Sequence, residues 1–258
     1  MKLIKELVGE LVGTLILVFI GCGSVAIAVV YYPLELWQVA LIWGVGVAMA
    51  IYAVKQVCPA HLNPAVSFAM MLSGKLDKNK FIPYVIFQLL GAVIAGFLLL
   101  SVIDSDLKIY ETVNSILRGA TNSYHSAVMF GEFFPNPGYE QSLYVSHFQA
   151  CIAECIGTFA LIITIFILTN KPRKIEPIIP ALIGLTVTLI ILVVAPYTQA
   201  GLNPARDFGP RIVAYFGGWN DAAFPHISYS FLTVYILSPL AGGTLAWLVN
   251  KRLHRIFN

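Results

Sequence analysis

The sequence has 258 residues, of which 58% are hydrophobic and only 11% are charged, and its mean hydropathy is +0.80. Soluble domains are about 45–50% apolar and about 25% charged, so this composition excludes an ordinary water-soluble globule. A net charge of only +3 on so apolar a chain also excludes intrinsic disorder and gives no indication of nucleic-acid binding. We therefore expect an all-α membrane protein.

Six apolar runs are each long enough to cross a bilayer as a helix. They lie at about residues 7–30, 36–54, 81–103, 148–169, 178–196 and 231–249. The first run follows Lys2 and Lys5, but it is too long for the apolar part of a typical signal peptide and contains Glu10, so we expect a retained first helix. Two shorter apolar segments, 64–72 and 204–214, follow Asn-Pro and predict helices that enter only half of the membrane.

Lys and Arg are distributed unevenly between the two ends of these runs, which predicts the orientation. Twelve of the 16 lie on one side, and the other side holds Lys108, Arg118, Arg206 and Arg211. Both termini should therefore face the cytoplasm, with the protein crossing the plasma membrane several times. The long connection 104–147 should lie outside and pack as a lid or vestibule.

The two halves of the chain resemble each other. The segment ELVGT at 10–14 matches ECIGT at 154–158, and LNPA occurs at both 62–65 and 202–205. Each half has three spans, so the second half must enter from the opposite face, and the repeat is inverted about an axis in the membrane plane. We expect a single transmembrane channel domain over residues 1–258, with a first repeat at about 1–103, an outer loop at about 104–147 and a second repeat at about 148–258.

Each Asn-Pro-Ala motif predicts the start of a short helix near the middle of the membrane, because Asn is a favoured N-cap and Pro suits the first helical turn. Two helix N-termini that meet there create positive potential, and irregular backbone at that depth requires a protein or aqueous lining. The pattern predicts a pore whose centre excludes protons and metal cations and passes neutral hydrogen-bonding molecules. The residues of this centre are Asn63, Pro64, Ala65, Asn203, Pro204 and Ala205.

Several ionisable residues also fall within predicted membrane segments, where charge is costly unless it lines a cavity or is paired. Arg206 follows Asn203 by three residues, so we expect it to line the pore as a fixed donor and positive charge. Glu10 and Glu154 occupy equivalent places in the two halves and should accept hydrogen bonds from the unpaired backbone of the re-entrant loops. Asp207 either pairs with Arg211 at i, i+4 or braces the loop.

The sequence indicates no cofactor, no metal site and no catalytic set. Cys22, Cys151 and Cys155 lie within apolar runs, and the four cysteines have neither zinc-site spacing nor the pattern of a disulfide framework. We expect His61 to brace the first loop or to offer its carbonyl, not to bind a metal.

The motifs and their neighbours resemble those of the major intrinsic proteins, the aquaporins and glycerol facilitators. The segments AHLNPAV at 60–66 and GLNPARDFGP at 201–210 carry the likeness, which extends over almost the whole chain. Asp207 and FPNP at 134–137 are similar to the aquaglyceroporin branch. The resemblance implies an aquaporin-like fold, with six transmembrane helices and two re-entrant half helices in an inverted 3+3 repeat around a central pore, and a homotetramer with a pore in each subunit.

The resemblance also implies a narrow outer selectivity filter, here Trp43, Ile191, Ala200 and Arg206. Trp43 and Arg206 match glycerol facilitators, but that branch usually has Gly and Phe at the other two positions. The four residues together are similar to the filter of plant nodulin-like channels, which are associated with glycerol, lactic acid and metalloid acids as well as water. Tyr235 also departs from the Pro that is usual there in glycerol facilitators.

We expect a passive channel for glycerol and similar small neutral solutes, with water and with lactic acid or urea as further candidates. The carbonyls that should line it belong to Ala60, His61, Thr198 and Gln199. The alternatives are a channel mainly for uncharged acids and metalloid acids, a water-selective aquaporin, a closed junction protein and a secondary transporter that uses Glu10 and Glu154 to bind a coupling ion. A membrane-embedded enzyme has little support, because the sequence shows no nucleophile–base set.

Overall fold

The computed structural model describes residues 2–170, 173–225 and 229–257, with the backbone alone at 173–174 and 254–257. Lys171, one of the basic residues used to predict the orientation, lies outside this part, as do the side chains of Arg173, Lys174 and Arg255. The described residues form helices and contain no strand. This follows from the composition, since a helix satisfies its own backbone hydrogen bonds inside a bilayer.

Six helices in the described part of the chain are long and apolar enough to cross a membrane, as predicted. They are α1 (Lys2–Ala26, continued by a π-helical turn at Ile27–Tyr31), α2 (Leu36–Val54), α4 (Lys78–Val113), α6 (His147–Thr169), α7 (Ile179–Thr198) and a final helix made of a π-helical part, Phe231–Leu237, and α9 (Ser238–Phe257). Two short helices follow the Asn-Pro motifs, α3 (Pro64–Leu72) and α8 (Pro204–Ala214). A single turn, α5 (Tyr124–Ala127), lies in the outer connection.

The start of the outer connection was predicted wrongly. Helix α4 continues to Val113, so the connection begins ten residues later than expected. Hydropathy falls at residue 104 because the chain leaves the apolar region, but the helix goes on. The added turns of α4 carry an ion pair between Lys108 Nζ and Asp104 Oδ2 (2.5 Å). Arg118, in the connection that follows, forms a second ion pair with Glu111 of the same helix (2.9 Å).

The helices pack in a pattern that repeats between the two halves. Helix α1 packs on α2 and α4, and its counterpart α6 packs on α7 and α9. Each half helix packs on the last helix of the other half, α8 on α4 and α3 on α9. Helices α2 and α7 meet at a glycine contact, where a Cβ on Gly44 would lie 2.5 Å from the carbonyl oxygen of Gly184.

The distribution of polarity is that of a membrane protein. Large apolar side chains cover the outside, including Phe97 (63% exposed) and Val193 (69% exposed). The interior holds fully buried polar groups, among them Glu10, Gln88 and Glu154. A soluble globule has the opposite arrangement, so the chain is a multi-pass membrane protein.

Candidate pore and selectivity filter

A cavity of about 320 Å³ lies between the two halves of the molecule and is mostly apolar. Both re-entrant loops and helices α1, α2, α6 and α7 contribute to its wall. The four predicted filter residues all line it, as do the two motif asparagines: Trp43, Ile191, Ala200, Arg206, Asn63 and Asn203. No acidic side chain lines this cavity within the described part of the chain.

The two asparagines cap the half helices and also join them to each other. Asn63 Oδ1 accepts a hydrogen bond from the backbone N–H of Ala65 (2.8 Å), and Asn203 caps α8 in the same way. The Asn63 amide donates to the carbonyl oxygen of Leu202 (2.9 Å), and the Asn203 amide donates to that of Leu62 (2.8 Å). The sequence predicted the caps, but it gave no signal for these reciprocal bonds between the loops.

Two buried glutamates, which do not line the cavity, accept hydrogen bonds from the re-entrant loops. Glu10 accepts hydrogen bonds from the backbone N–H groups of residues 61 and 62 (2.8 and 2.7 Å) and from Gln88 Nε2 (2.8 Å). Glu154 accepts from the N–H groups of 201 and 202 (2.8 and 2.7 Å) and from the Thr198 hydroxyl (2.6 Å). The backbone donors are those expected from the sequence, whereas the bonds from Gln88 and Thr198 were not predicted. Each carboxylate therefore makes three bonds within the protein.

The loops need this support because their backbone conformation is unfavourable. Ala60 and Leu62 have φ values of 54° and 53°, and the equivalent residues Ala200 and Leu202 have values of 63° and 55°. Residues with a Cβ adopt this left-handed region rarely and at a cost. The bonds to the two glutamates therefore help to offset strain at matching positions in the two halves.

Arg206 and Trp43, two of the predicted filter residues, are in direct contact. The guanidinium carbon of Arg206 lies 4.1 Å from the centroid of the Trp43 ring, within cation–π distance. The ring itself covers the backbone of α1 at Gly21, where a Cβ would lie only 2.2 Å from the ring. Ile191 and Ala200 line the same cavity.

A fifth residue, Glu132, reaches the filter from the outer connection. Its carboxylate forms a buried ion pair with Arg206 Nη1, and its other oxygen has no hydrogen-bond partner among the described residues. The backbone of Glu132 is held on both sides, since its N–H donates to Asp207 Oδ1 (2.8 Å) and its carbonyl accepts from Arg211 Nη2 (2.5 Å). Asp207 thus both pairs with Arg211 (2.7 Å) and braces the outer segment.

Comparison with known proteins agrees with this geometry. The family model for "Major intrinsic protein" matches residues 1–250. The chain belongs to this family. The glycerol uptake facilitator protein of Haemophilus influenzae is 36% identical over 254 residues, which is 95% of this chain and 92% of the relative. That of Escherichia coli strain K12 is 34% identical over 252 residues (96% and 87%), and the propanediol uptake facilitator PduF of Citrobacter freundii is 32% identical over 257 residues (96% and 93%).

The structure of the aquaglyceroporin from Plasmodium falciparum resembles this major intrinsic protein with a TM-score of 0.80, 22% identity and coverage of 98% of both chains. This likeness shows the shared fold. The predicted family and the predicted all-α fold with six spans are thereby confirmed.

The four residues whose carbonyls were predicted to line the pore are placed differently in the two loops. Ala60 and His61 line the cavity of this major intrinsic protein, whereas Thr198 and Gln199 do not. The carbonyl of Thr198 is buried and accepts from the Tyr235 hydroxyl (3.3 Å). The Gln199 side chain is occupied by the outer connection, where it accepts from the N–H of Phe133 (2.8 Å).

The end of the cavity away from the filter carries a second cation. Lys75 lines the cavity there, and its Nζ donates to Asn170 Oδ1 (3.0 Å). Burial lowers the pKa of Lys75. His61, nearer the centre, contacts the Ser67 hydroxyl through Nδ1 (3.2 Å). Within the described residues, no group of three or more His, Cys, Asp or Glu side chains could hold a metal ion.

Proposed function

We propose that this protein is a passive channel for glycerol and similar small neutral solutes, with water. The observation that carries the proposal is the lumen between two joined half-helix N-termini, with Arg206 and Trp43 at one end. The N-termini place positive potential at the centre, which disfavours protons and metal cations. The hydroxyls of a polyol can accept from Arg206, while its carbon backbone lies against Trp43 and Ile191.

A secondary transporter is less well supported by the buried carboxylates. Such a transporter needs ion ligands or a proton relay near the centre of the membrane. Glu10 and Glu154 are the two acids equivalent in the repeat, and both are occupied by three hydrogen bonds within the protein. Neither lines the cavity. The arrangement therefore favours a channel.

Protonated lactic acid is a second candidate solute, favoured by the Glu132–Arg206 pair. This pair compensates the charge of the filter arginine, so the filter does not specially attract the lactate anion. A neutral acid can still accept from the remaining guanidinium donors. The small side chain of Ala200 in the cavity wall also favours solutes larger than water and counts against a strictly water-selective channel.

We further propose that the channel is a homotetramer in the plasma membrane, with both termini in the cytoplasm. The uneven distribution of Lys and Arg supports this orientation. The family resemblance supports the tetramer, and the apolar outer faces are suited both to lipid and to neighbouring subunits.

The test compares two tryptophan substitutions on helix α7. Val187→Trp places a ring in the lumen, while Val193→Trp places the same ring on the exposed outer face. Purified variants are reconstituted into liposomes, and re-swelling in glycerol is followed by light scattering. We expect Val187→Trp to abolish the glycerol flux that Val193→Trp retains. Equal fluxes in the two variants would contradict the assignment of this cavity as the solute path.

A further inference from the structure

We propose that small monocarboxylate anions bind beside Lys75, at the end of the cavity away from the filter, and there reduce the flux of neutral solutes. We call this end the inner end. The inference rests on the proposed channel function and adds an inhibitory ligand to it. It follows from an ammonium group that has no carboxylate partner, from the fixed position of that group, and from the apolar wall near it.

The ammonium group of Lys75 has no carboxylate partner among the described residues, and its one hydrogen bond there is to an amide oxygen. Two acids on the same side of the molecule have other partners, since Asp77 accepts from the N–H of Asn79 (2.8 Å) and Glu6 pairs with Lys80 (2.7 Å). Burial lowers the pKa of Lys75, as expected for a cation that loses water without gaining an opposite charge. An anion in the cavity supplies the missing charge.

The position of this ammonium group is fixed at both ends of the side chain. The backbone N–H of Lys75 donates to the carbonyl of Met70 (2.9 Å), and Nζ donates to Asn170 Oδ1 just after α6 (3.0 Å). Nζ also lies 5.3 Å from the centroid of the Phe166 ring. An ammonium group has three N–H donors, so the bond to Asn170 leaves donors for a ligand in the cavity.

The wall near the inner end is apolar. Three isoleucines line the cavity close to the inner ends of their helices, Ile51 in the last turn of α2, Ile165 near the end of α6 and Ile179 at the start of α7. The carboxylate of a small acid can therefore lie at Nζ while its alkyl part contacts these side chains and leaves water. This combination favours short monocarboxylates such as lactate over polyhydroxylated anions.

The two cations that line the cavity differ in their compensation. Arg206 forms an ion pair with Glu132 at the filter, whereas Lys75 keeps an uncompensated charge within the described part of the chain. Anions should therefore accumulate at the inner end and not at the filter. Because Lys75 lines the proposed solute path, an anion bound there obstructs a passing neutral solute.

The first test measures glycerol flux in proteoliposomes of neutral lipid that hold either potassium lactate or potassium gluconate at the same concentration on both sides. Gluconate carries the same charge, but its hydroxyls are poorly suited to the apolar wall. At about 100 mM and neutral pH we expect lactate to lower the protein-mediated glycerol flux about twofold relative to gluconate, as one charge-assisted hydrogen bond implies. Equal fluxes in the two anions would overturn the inference and leave the channel function intact. Absence of glycerol flux in gluconate would instead refute the proposed function.

The second test removes the charge of Lys75. Lys75→Met keeps a side chain of similar length, and we expect its glycerol flux to be equal in lactate and gluconate. Lys78→Met is the matched control, because Lys78 is an exposed cation at the start of α4 that does not line the cavity, and it should retain the inhibition by lactate. The ratio of the two fluxes is independent of the amount of folded protein. Inhibition that persists in Lys75→Met, or that is lost equally in Lys78→Met, would overturn the inference.

Discussion

Replacing Glu154 by Gln should destabilise the second re-entrant loop measurably. The carboxylate accepts from Thr198 Oγ1 and the N–H of 201 through one oxygen (2.6 and 2.8 Å) and from the N–H of Leu202 through the other (2.7 Å). A glutamine amide retains the first oxygen but turns an N–H donor towards Leu202. The orphaned N–H costs about 1–3 kcal/mol, and two charge-assisted bonds become neutral and weaker.

A buried neutral amide costs less to desolvate than a buried carboxylate, and this difference offsets part of the lost stability. We therefore expect a net destabilisation of about 2–3 kcal/mol. For a chain of this size this corresponds to a fall in the melting temperature of about 4–12 °C. Thermal unfolding in detergent checks the value, with Glu140→Gln as the control. The Glu140 side chain is partly exposed (32%) and accepts from the Tyr124 hydroxyl (2.9 Å), so its replacement should cost less than about 1 kcal/mol. Equal melting temperatures for the two variants would refute the role given to Glu154.

Two further substitutions test the filter and its support. Gly21→Ala places a Cβ 2.2 Å from the ring of Trp43, so we expect a destabilisation of about 1–3 kcal/mol and a lower ratio of glycerol to water permeability. Gly23→Ala is the control, because its Cβ meets no atom within 4 Å and it should leave the ratio of glycerol to water permeability unchanged. Equal ratios in the two variants would contradict the placement of the Trp43 ring. Arg211→Lys removes the planar guanidinium that binds both Asp207 and the carbonyl of Glu132. We expect the free energy of unfolding to fall by about 2–3 kcal/mol. We also expect a changed glycerol flux, because Glu132 is then held less firmly. A variant with wild-type stability and flux would show that this clamp is unnecessary.

Local sequence predicted the features that depend on local physics. Asn63-Pro64 and Asn203-Pro204 predict helix starts because cap and first turn are determined by adjacent residues. The spans follow from hydropathy, because the bilayer requires a fixed length of apolar helix. Glu10 and Glu154 could be assigned to the loops because unpaired backbone in a membrane needs acceptors and the repeat marks them as equivalent.

Other features depend on contacts distant in the sequence. Glu132 meets Arg206 through an irregular outer segment that has no periodicity, and in the sequence it is one of several outer acids. The occupied carbonyl of Thr198 depends on Tyr235, which lies on another helix. The extension of α4 to Val113 was missed because hydropathy reports contact with lipid, while this part of the helix is stabilised by ion pairs. These are also the contacts that distinguish this filter from the one the motifs alone imply.

Light scattering of wild-type proteoliposomes tests the central claim most directly. The liposomes are shrunk in glycerol without any ion gradient, with ionophores present, and their re-swelling is compared with that of protein-free liposomes over a range of glycerol gradients. A passive channel predicts accelerated re-swelling whose rate rises in proportion to the gradient. Re-swelling no faster than that of protein-free liposomes, or a flux that appears only when an ion gradient is imposed, would contradict the account.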